Sequence, residues 1–181
     1  MRKPSRLRGM AVLSLAISLM GQSASADSSA NDNTRSNGHY RLPPAGSLVP
    51  PYPDGLTSYS GTCVTDPHSG DICGRGVGTI DVVSGQPVAF YAGELAARNA
   101  SGEAIWRITD IAKAPTIPKG YVADTGLCLA QPDSRRVVAV LRWDSGSVAP
   151  ADVIWGMVLD PATGRFEDIA VRHITCEGLV P

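Results

Sequence analysis

The chain has 181 residues, 43% hydrophobic, 18% charged and 6% aromatic, with a formal net charge of −1. That length suits a single domain, and its charged share falls below the roughly one quarter usual for soluble domains. The composition excludes a collagen, a coiled coil and a polytopic membrane protein, and without a Lys/Arg cluster beyond the extreme N-terminus it excludes a basic nucleic-acid binder.

The chain opens on Arg2, Lys3, Arg6 and Arg8, a positive n-region. Met10 to Met20 follows as an apolar run, and Ala24-Ser25-Ala26 ends it in a small-x-small site. This pattern reads as a secretory signal peptide over 1–26. Eleven residues rise only about 16 Å as a helix, too little for a hydrocarbon core of about 30 Å. No cysteine follows the run to take a lipid, and no Arg-Arg pair precedes it, which favours the general secretion route. Removing the leader leaves 12 basic residues against 17 acidic ones, a net charge of −5. Such a chain has no electrostatic reason to bind nucleic acid or an anionic membrane. Thirteen arginines against three lysines suggest a GC-rich genome. With the short leader, they point to a Gram-negative bacterium and a periplasmic or secreted protein.

Residues 27–55 are rich in Ser and Asn, then in Pro, with Pro43, Pro44, Pro50, Pro51 and Pro53 at the end. Leu42, Leu48 and Val49 are too few for a core of their own, so the segment reads as a flexible tether. Residues 56–181 then form the domain.

Within it the apolar runs are short and rich in Val, Ile and aromatic residues: Val77–Val83, Pro87–Ala97, Ala104–Ile111, Tyr121–Ala123, Arg136–Trp143, Val153–Leu159 and Phe166–Cys176. Turn residues separate most of them. The fold class is therefore all-β, a small antiparallel sandwich or barrel of about six to eight strands. Glu94 to Arg98 could alternatively close as a helical turn. Val153–Leu159 is apolar almost throughout and reads as a strand covered on both faces. Phe90, Trp106, Trp155 and Phe166 are candidate core residues.

Asp66-Pro67-His68-Ser69-Gly70 and Asp160-Pro161-Ala162-Thr163-Gly164 share one turn pattern. Taken as five-residue hairpin loops, they set Cys63 opposite Cys73, Val158 opposite Phe166, and Trp155 opposite Ile169. Four cysteines in an oxidising compartment predict two disulfides, Cys63–Cys73 and Cys128–Cys176. At an offset of 49, Val88–Ala92 aligns with Val137–Leu141 and Ile105-Trp106 with Ile154-Trp155. Cys128 falls 48 residues before Cys176. These matches suggest a weak duplication of 79–128 in 129–176.

Val122-Ala123-Asp124-Thr125-Gly126 has the hydrophobic-D-T-G pattern in which aspartic proteases place a catalytic carboxylate, and Asp144-Ser145-Gly146 offers a second. The spacing argues for an ordinary turn, since only 20 residues separate the two aspartates. His39 lies in the tether. No nucleophile elbow supports a triad built on His68 or His173. Asp66, His68 and Asp71 are a weak surface ion set, and no spacing predicts a metal or cofactor site. Gly74-Arg75-Gly76-Val77-Gly78 lacks the Lys-Ser/Thr of a phosphate loop and reads as a flexible or close-packed glycine segment. Tyr52 and Tyr59 flank the start of the domain. Arg142 and Trp143, at a strand end, are the best candidate recognition patch, because Arg and Trp are enriched at binding hot spots.

The reading is a non-enzymatic periplasmic or secreted module, of inhibitor, immunity or envelope-assembly type. It would bind another envelope or secreted protein, or a glycan. A small hydrolase using Asp124, Asp144 or His173 is the first alternative. A structural part of an envelope assembly is the second.

Overall fold

Short β-branched and aromatic runs become strands because such side chains fill a pleated, half-buried surface well. The computed structural model of the chain describes residues 40–65, 69–83, 85–142 and 152–177. The expected leader, residues 27–39 of the expected tether, His68, Trp143 and Asp144 lie outside the described residues. Within them the chain is all-β and antiparallel. In order the strands are β1 (Leu48–Val49), β2 (Leu56–Thr57), β3 (Gly61–Val64), β4 (Arg75–Val82), β5 (Pro87–Arg98) and β6 (Ala104–Lys113). They continue as β7 (Tyr121–Asp124), β8 (Cys128–Ala130), β9 (Val137–Arg142), β10 (Val153–Asp160), β11 (Arg165–Asp168) and β12 (Ile174–Cys176). Eight of these have four residues or more, and the other four have two or three. Glu94–Arg98 is strand, not a helical turn.

The first sheet runs β1-β6-β5-β4-β2, with β3 also on β4; the second runs β11-β10-β9-β7; β8 and β12 form a separate ribbon. The expected single run Phe166–Cys176 is broken. β11 pairs with β10 but β12 pairs with β8, so the chain must change partners, and a 3₁₀ turn at Val171–His173 makes the change.

Strand alternation divides the interior into three apolar clusters. Val137, Ala139 and Leu141 of β9 pack with Cys128, Ala130, Ile174 and Cys176 of the ribbon. Val138 and Val140, on the opposite face of β9, pack with Phe90, Ala92 and Val77 of the first sheet. Phe90 stacks on Trp155 at 5.3 Å between ring centres. Ala89 and Tyr91, alternating with Phe90 along β5, face a third cluster with Val49, Leu56, Ile80 and Ile108. The clusters therefore stack in sequence, with the two sheets as the walls between them.

The third cluster corrects the expected tether. From Tyr40 to Gly55 the chain belongs to the folded unit. Leu48 and Val49 pair with Arg107 and Trp106, Val49 is buried, and Leu42 and Tyr52 pack over the outer face of the first sheet. These residues are too few to build a core, but they are enough to cover one.

Both hairpin registers also need correction. In the first, β3 and β4 pair Val64 with Arg75 and Cys63 with Gly76. β4 begins only at Arg75, where pairing with Glu94 of β5 starts, so Cys73 falls in the loop, with a left-handed φ of 63°. Its Cα still lies 4.5 Å from that of Cys63, and the expected disulfide forms. In the second, Leu159 faces Phe166 and Met157 faces Asp168. The Asp160 carboxylate accepts hydrogen bonds from Ala162 N and Thr163 Oγ1. Asp160 thereby stays in the strand and shortens the loop to four residues. A slip of one residue exchanges the faces of a strand. Val158 belongs to the ribbon-side cluster and Leu159 to the inter-sheet cluster, so the observed register is the one that buries Phe166 between the sheets.

The expected duplication is not carried by the pairing: Trp106 faces Leu95, whereas Trp155 faces Val140. Of the two readings of the glycine segment, the close-packed one holds. Gly76 and Gly78 lie in β4 beneath the rings of Trp106 and Tyr91. A Cβ on Gly78 would stand 2.5 Å from Tyr91 Cε1. Gly78→Ala should therefore lower stability by about 1–3 kcal/mol in denaturant titration, the usual cost of overpacking.

The second disulfide, Cys128–Cys176, joins directly opposed residues of the ribbon. It closes a separation of 48 residues, for which chain entropy gives about 4 kcal/mol. Both sulfurs' residues are buried, whereas Cys63 is exposed. Thiol exchange requires access to a sulfur. Mild reduction of the folded protein followed by alkylation and mass spectrometry should label Cys63 and Cys73 first. Earlier labelling of Cys128 and Cys176 would contradict the burial.

Candidate functional site

Asp81 is a carboxylate near the end of β4, buried at 4% exposure. Such a group requires hydrogen-bond partners. Its Oδ2 accepts from Thr79 Oγ1 at 2.6 Å and from the backbone N–H of Tyr59 at 3.0 Å. The β4–β5 pairing is irregular here: Asp81 faces Pro87, whereas Ile80 faces Ala89, and Val88 is passed over. Bulges of this kind commonly re-aim side chains beside binding sites.

Tyr59, in the connection between β2 and β3, is held at both ends. Its N–H donates to Asp81 and its hydroxyl donates to the Val83 carbonyl at 3.1 Å. Yet 68% of the residue is exposed. The next residue, Ser60, shares a 2.8 Å hydroxyl–hydroxyl hydrogen bond with Thr125. That contact ties the edge of the first sheet to the loop after β7.

Between these anchors lies a cleft of about 310 Å³. Tyr59, Asp81 and Gln86 line it from the first sheet, and Ile117, Tyr121 and Val122 from the chain that enters and forms β7. Arg142, at the end of β9, faces Tyr121 in register. Its Nη2 donates to the Tyr121 hydroxyl at 3.3 Å, and its guanidinium sits over the ring, 5.7 Å from the centre. Asp152 stands 4.0 Å from its Nη1. One half of the expected recognition patch, Arg142, therefore contacts a residue of the cleft wall, Tyr121. Trp143, the other half, lies outside the described residues.

The Asp124-Thr125-Gly126 sequence forms the corner behind the cleft. Asp124 Oδ2 accepts from the backbone N–H groups of Gly126 and Leu127, at 3.2 and 2.9 Å. Arg136 donates to the Gly126 carbonyl. Burial raises the Asp124 pKa above the ordinary 3.8, and the loop N–H groups and Arg136 only partly offset it. This carboxylate is committed to holding a turn. His173 is exposed on the 3₁₀ turn, and its carbonyl accepts from Gln131 N. It lies beyond the Ala130 end of the ribbon, whereas Asp124 precedes the Cys128 end. The fold does not bring the two together.

Sequence reasoning noted Tyr59 and Arg142 but missed Asp81, Gln86 and Tyr121. A visible signal was the single charge in Val77-Gly78-Thr79-Ile80-Asp81-Val82. An ionisable residue inside a buried strand needs partners, and the search for them leads to Tyr59.

Comparison with protein-family models, with curated proteins and with solved structures found no match to this chain.

The raised Asp124 pKa gives a signed prediction. A carboxyl group with a folded pKa above its unfolded value favours the fold while protonated, and that contribution is lost as pH rises. Stability of the native chain should therefore fall, relative to Asp124→Asn, as pH increases from about 3.8 through the raised value. The amide oxygen of Asn still accepts the loop N–H bonds. Asp124→Ala, by contrast, strands those two donors and should cost about 1–3 kcal/mol at any pH. Thermal unfolding across the acidic range checks both.

Proposed function

We propose that the protein is a binding module of the periplasm or the extracellular space, recognising a protein or an envelope polymer through the cleft between Tyr59 and Tyr121, with Arg142 on its rim. The observation that carries this reading is the Tyr59 side chain. An aromatic ring so exposed contributes little to the core, yet its hydroxyl is tied to the Val83 carbonyl while its backbone N–H is tied to Asp81. A rigid, exposed aromatic loses little conformational entropy when it is covered, which is why such residues anchor interfaces.

The compartment reading rests on two supports. The two disulfides suit an oxidising environment, and residues 1–26 have the composition of a secretory leader. No helix among the described residues is long and apolar enough to cross a membrane. A Gram-negative source belongs to the same proposal and rests on Arg usage and the leader.

The test is capture from envelope extract on the tagged, oxidised protein, with the eluate identified by mass spectrometry and glycan analysis. One component should be enriched near stoichiometry. Tyr59→Ala or Arg142→Ala should reduce its retention about tenfold or more, the size expected of a hot spot. Leu48→Ala, at the exposed position of β1, should leave retention unchanged. Equal retention by all three variants would remove the cleft from the recognition surface.

A further inference from the structure

We infer that the cleft takes a neutral, hydroxyl-rich ligand, a pyranose unit of a glycan, stacked on Tyr59 and hydrogen-bonded by Asp81 and Gln86. The inference rests on the reading of this cleft as the recognition site and names its ligand class.

Charge narrows the choice first. The Asp81 carboxylate in the cleft wall disfavours an anionic ligand. The Arg142 guanidinium, seated over the Tyr121 ring of the cleft wall, disfavours a cationic one by like-charge repulsion. A neutral ligand meets neither penalty.

Hydrogen-bonding capacity narrows it further. Asp81 Oδ2 is used by Thr79 and Tyr59, but Oδ1 accepts no hydrogen bond among the described residues. Gln86 is exposed and makes none among them. The carboxylate oxygen accepts, and the amide both donates and accepts. Adjacent hydroxyls of a sugar, each a donor and an acceptor, suit that pair. Bonds from hydroxyl to carboxylate are short and strong.

Shape gives the third argument. The negative face of an aromatic ring attracts weakly positive C–H edges, and a pyranose presents a flat array of them. Tyr59 offers such a face already ordered. The cleft volume of about 310 Å³ lies at the small end of the usual ligand range of about 300–1,000 Å³. That suits a compact ring better than an extended peptide.

The experiment is a two-dimensional amide NMR titration of the oxidised secreted chain. The probes are neutral tetrasaccharides of glucose, N-acetylglucosamine, galactose or mannose, each up to about 10 mM, enough to detect a millimolar site. At least one probe should shift the amides of Tyr59, Asp81, Gln86 and Tyr121. Tyr59→Ala should weaken that binding about tenfold or more, while Tyr59→Phe, which keeps the ring, should hold it within about threefold. Asp81→Asn should also weaken it, and Asp124→Asn, in the corner behind, should not. An exposed position such as Tyr59 can be changed without loss of the fold, and the spectrum of each variant verifies that. The inference is overturned if no probe shifts the cleft, or if the shifts fall instead on the proline-lined groove around Pro43, Pro51 and Tyr52. If Tyr59→Ala abolishes capture of a protein partner while no saccharide binds, the cleft remains the recognition site and only the ligand class fails. If Tyr59→Ala alters neither capture nor saccharide binding, both readings fall together.

Discussion

The structure depends on the burial of both faces of β9. Val138 and Val140 point between the two sheets, and Val137, Ala139 and Leu141 point toward the disulfide ribbon. All five are fully buried. A strand with one wet face needs a partner on one side only, but β9 must have an apolar layer on each. The first sheet supplies one layer. The β8–β12 ribbon supplies the other, and Cys128–Cys176 fixes that ribbon to itself. Each buried valine contributes on the order of 1.5–3 kcal/mol, so the loss of either layer would expose a large part of the stabilising area.

The same logic extends outward. β5 also divides its faces, with Phe90 inward and Tyr91 outward. On its outer face Ile108 of the neighbouring β6 joins the same cluster, and the proline-rich segment, which has no core of its own, covers it. Prolines limit the conformational entropy such a segment loses on docking, and their missing N–H groups cost little at the margin of a sheet.

Polar ties position the cleft on this layered frame. Ser60 and Thr125 join the two sheets' margins, Asp81 holds the Tyr59 backbone, and Asp124 holds the corner behind. The Asp124 tie is local, but the other two are short in space and long in sequence: 65 residues separate Ser60 from Thr125, and 22 separate Tyr59 from Asp81. A site assembled in this way is hard to see in a linear reading. Arg142 could be suspected from residue type and position alone. Its value depends on Tyr121, which stands opposite only because β7 and β9 pair in one register.

The strands illustrate where local information suffices. The starts at Pro87, Ala104, Tyr121 and Val153 were legible because β-branched and aromatic residues alternate with turn residues, and both signals act over a few positions. The two disulfide partners were legible as well, one of them for an incorrect reason. Cys63 meets Cys73 although it pairs with Gly76, because a loop cysteine tolerates several registers within bonding reach. Register itself was not legible. In the second hairpin a single residue decided whether Phe166 faced the ribbon or the inter-sheet core, and the turn alone allowed either. The packing of Phe166 with Leu159 made the choice. The sequence by itself determined the class of structure, the strand positions and the cysteine pairs, because each follows from chemistry within a short window. Only the tertiary structure decided the registers, the folding of the proline-rich segment and the existence of the cleft. Those depend on which apolar face meets which, a property that no single segment contains.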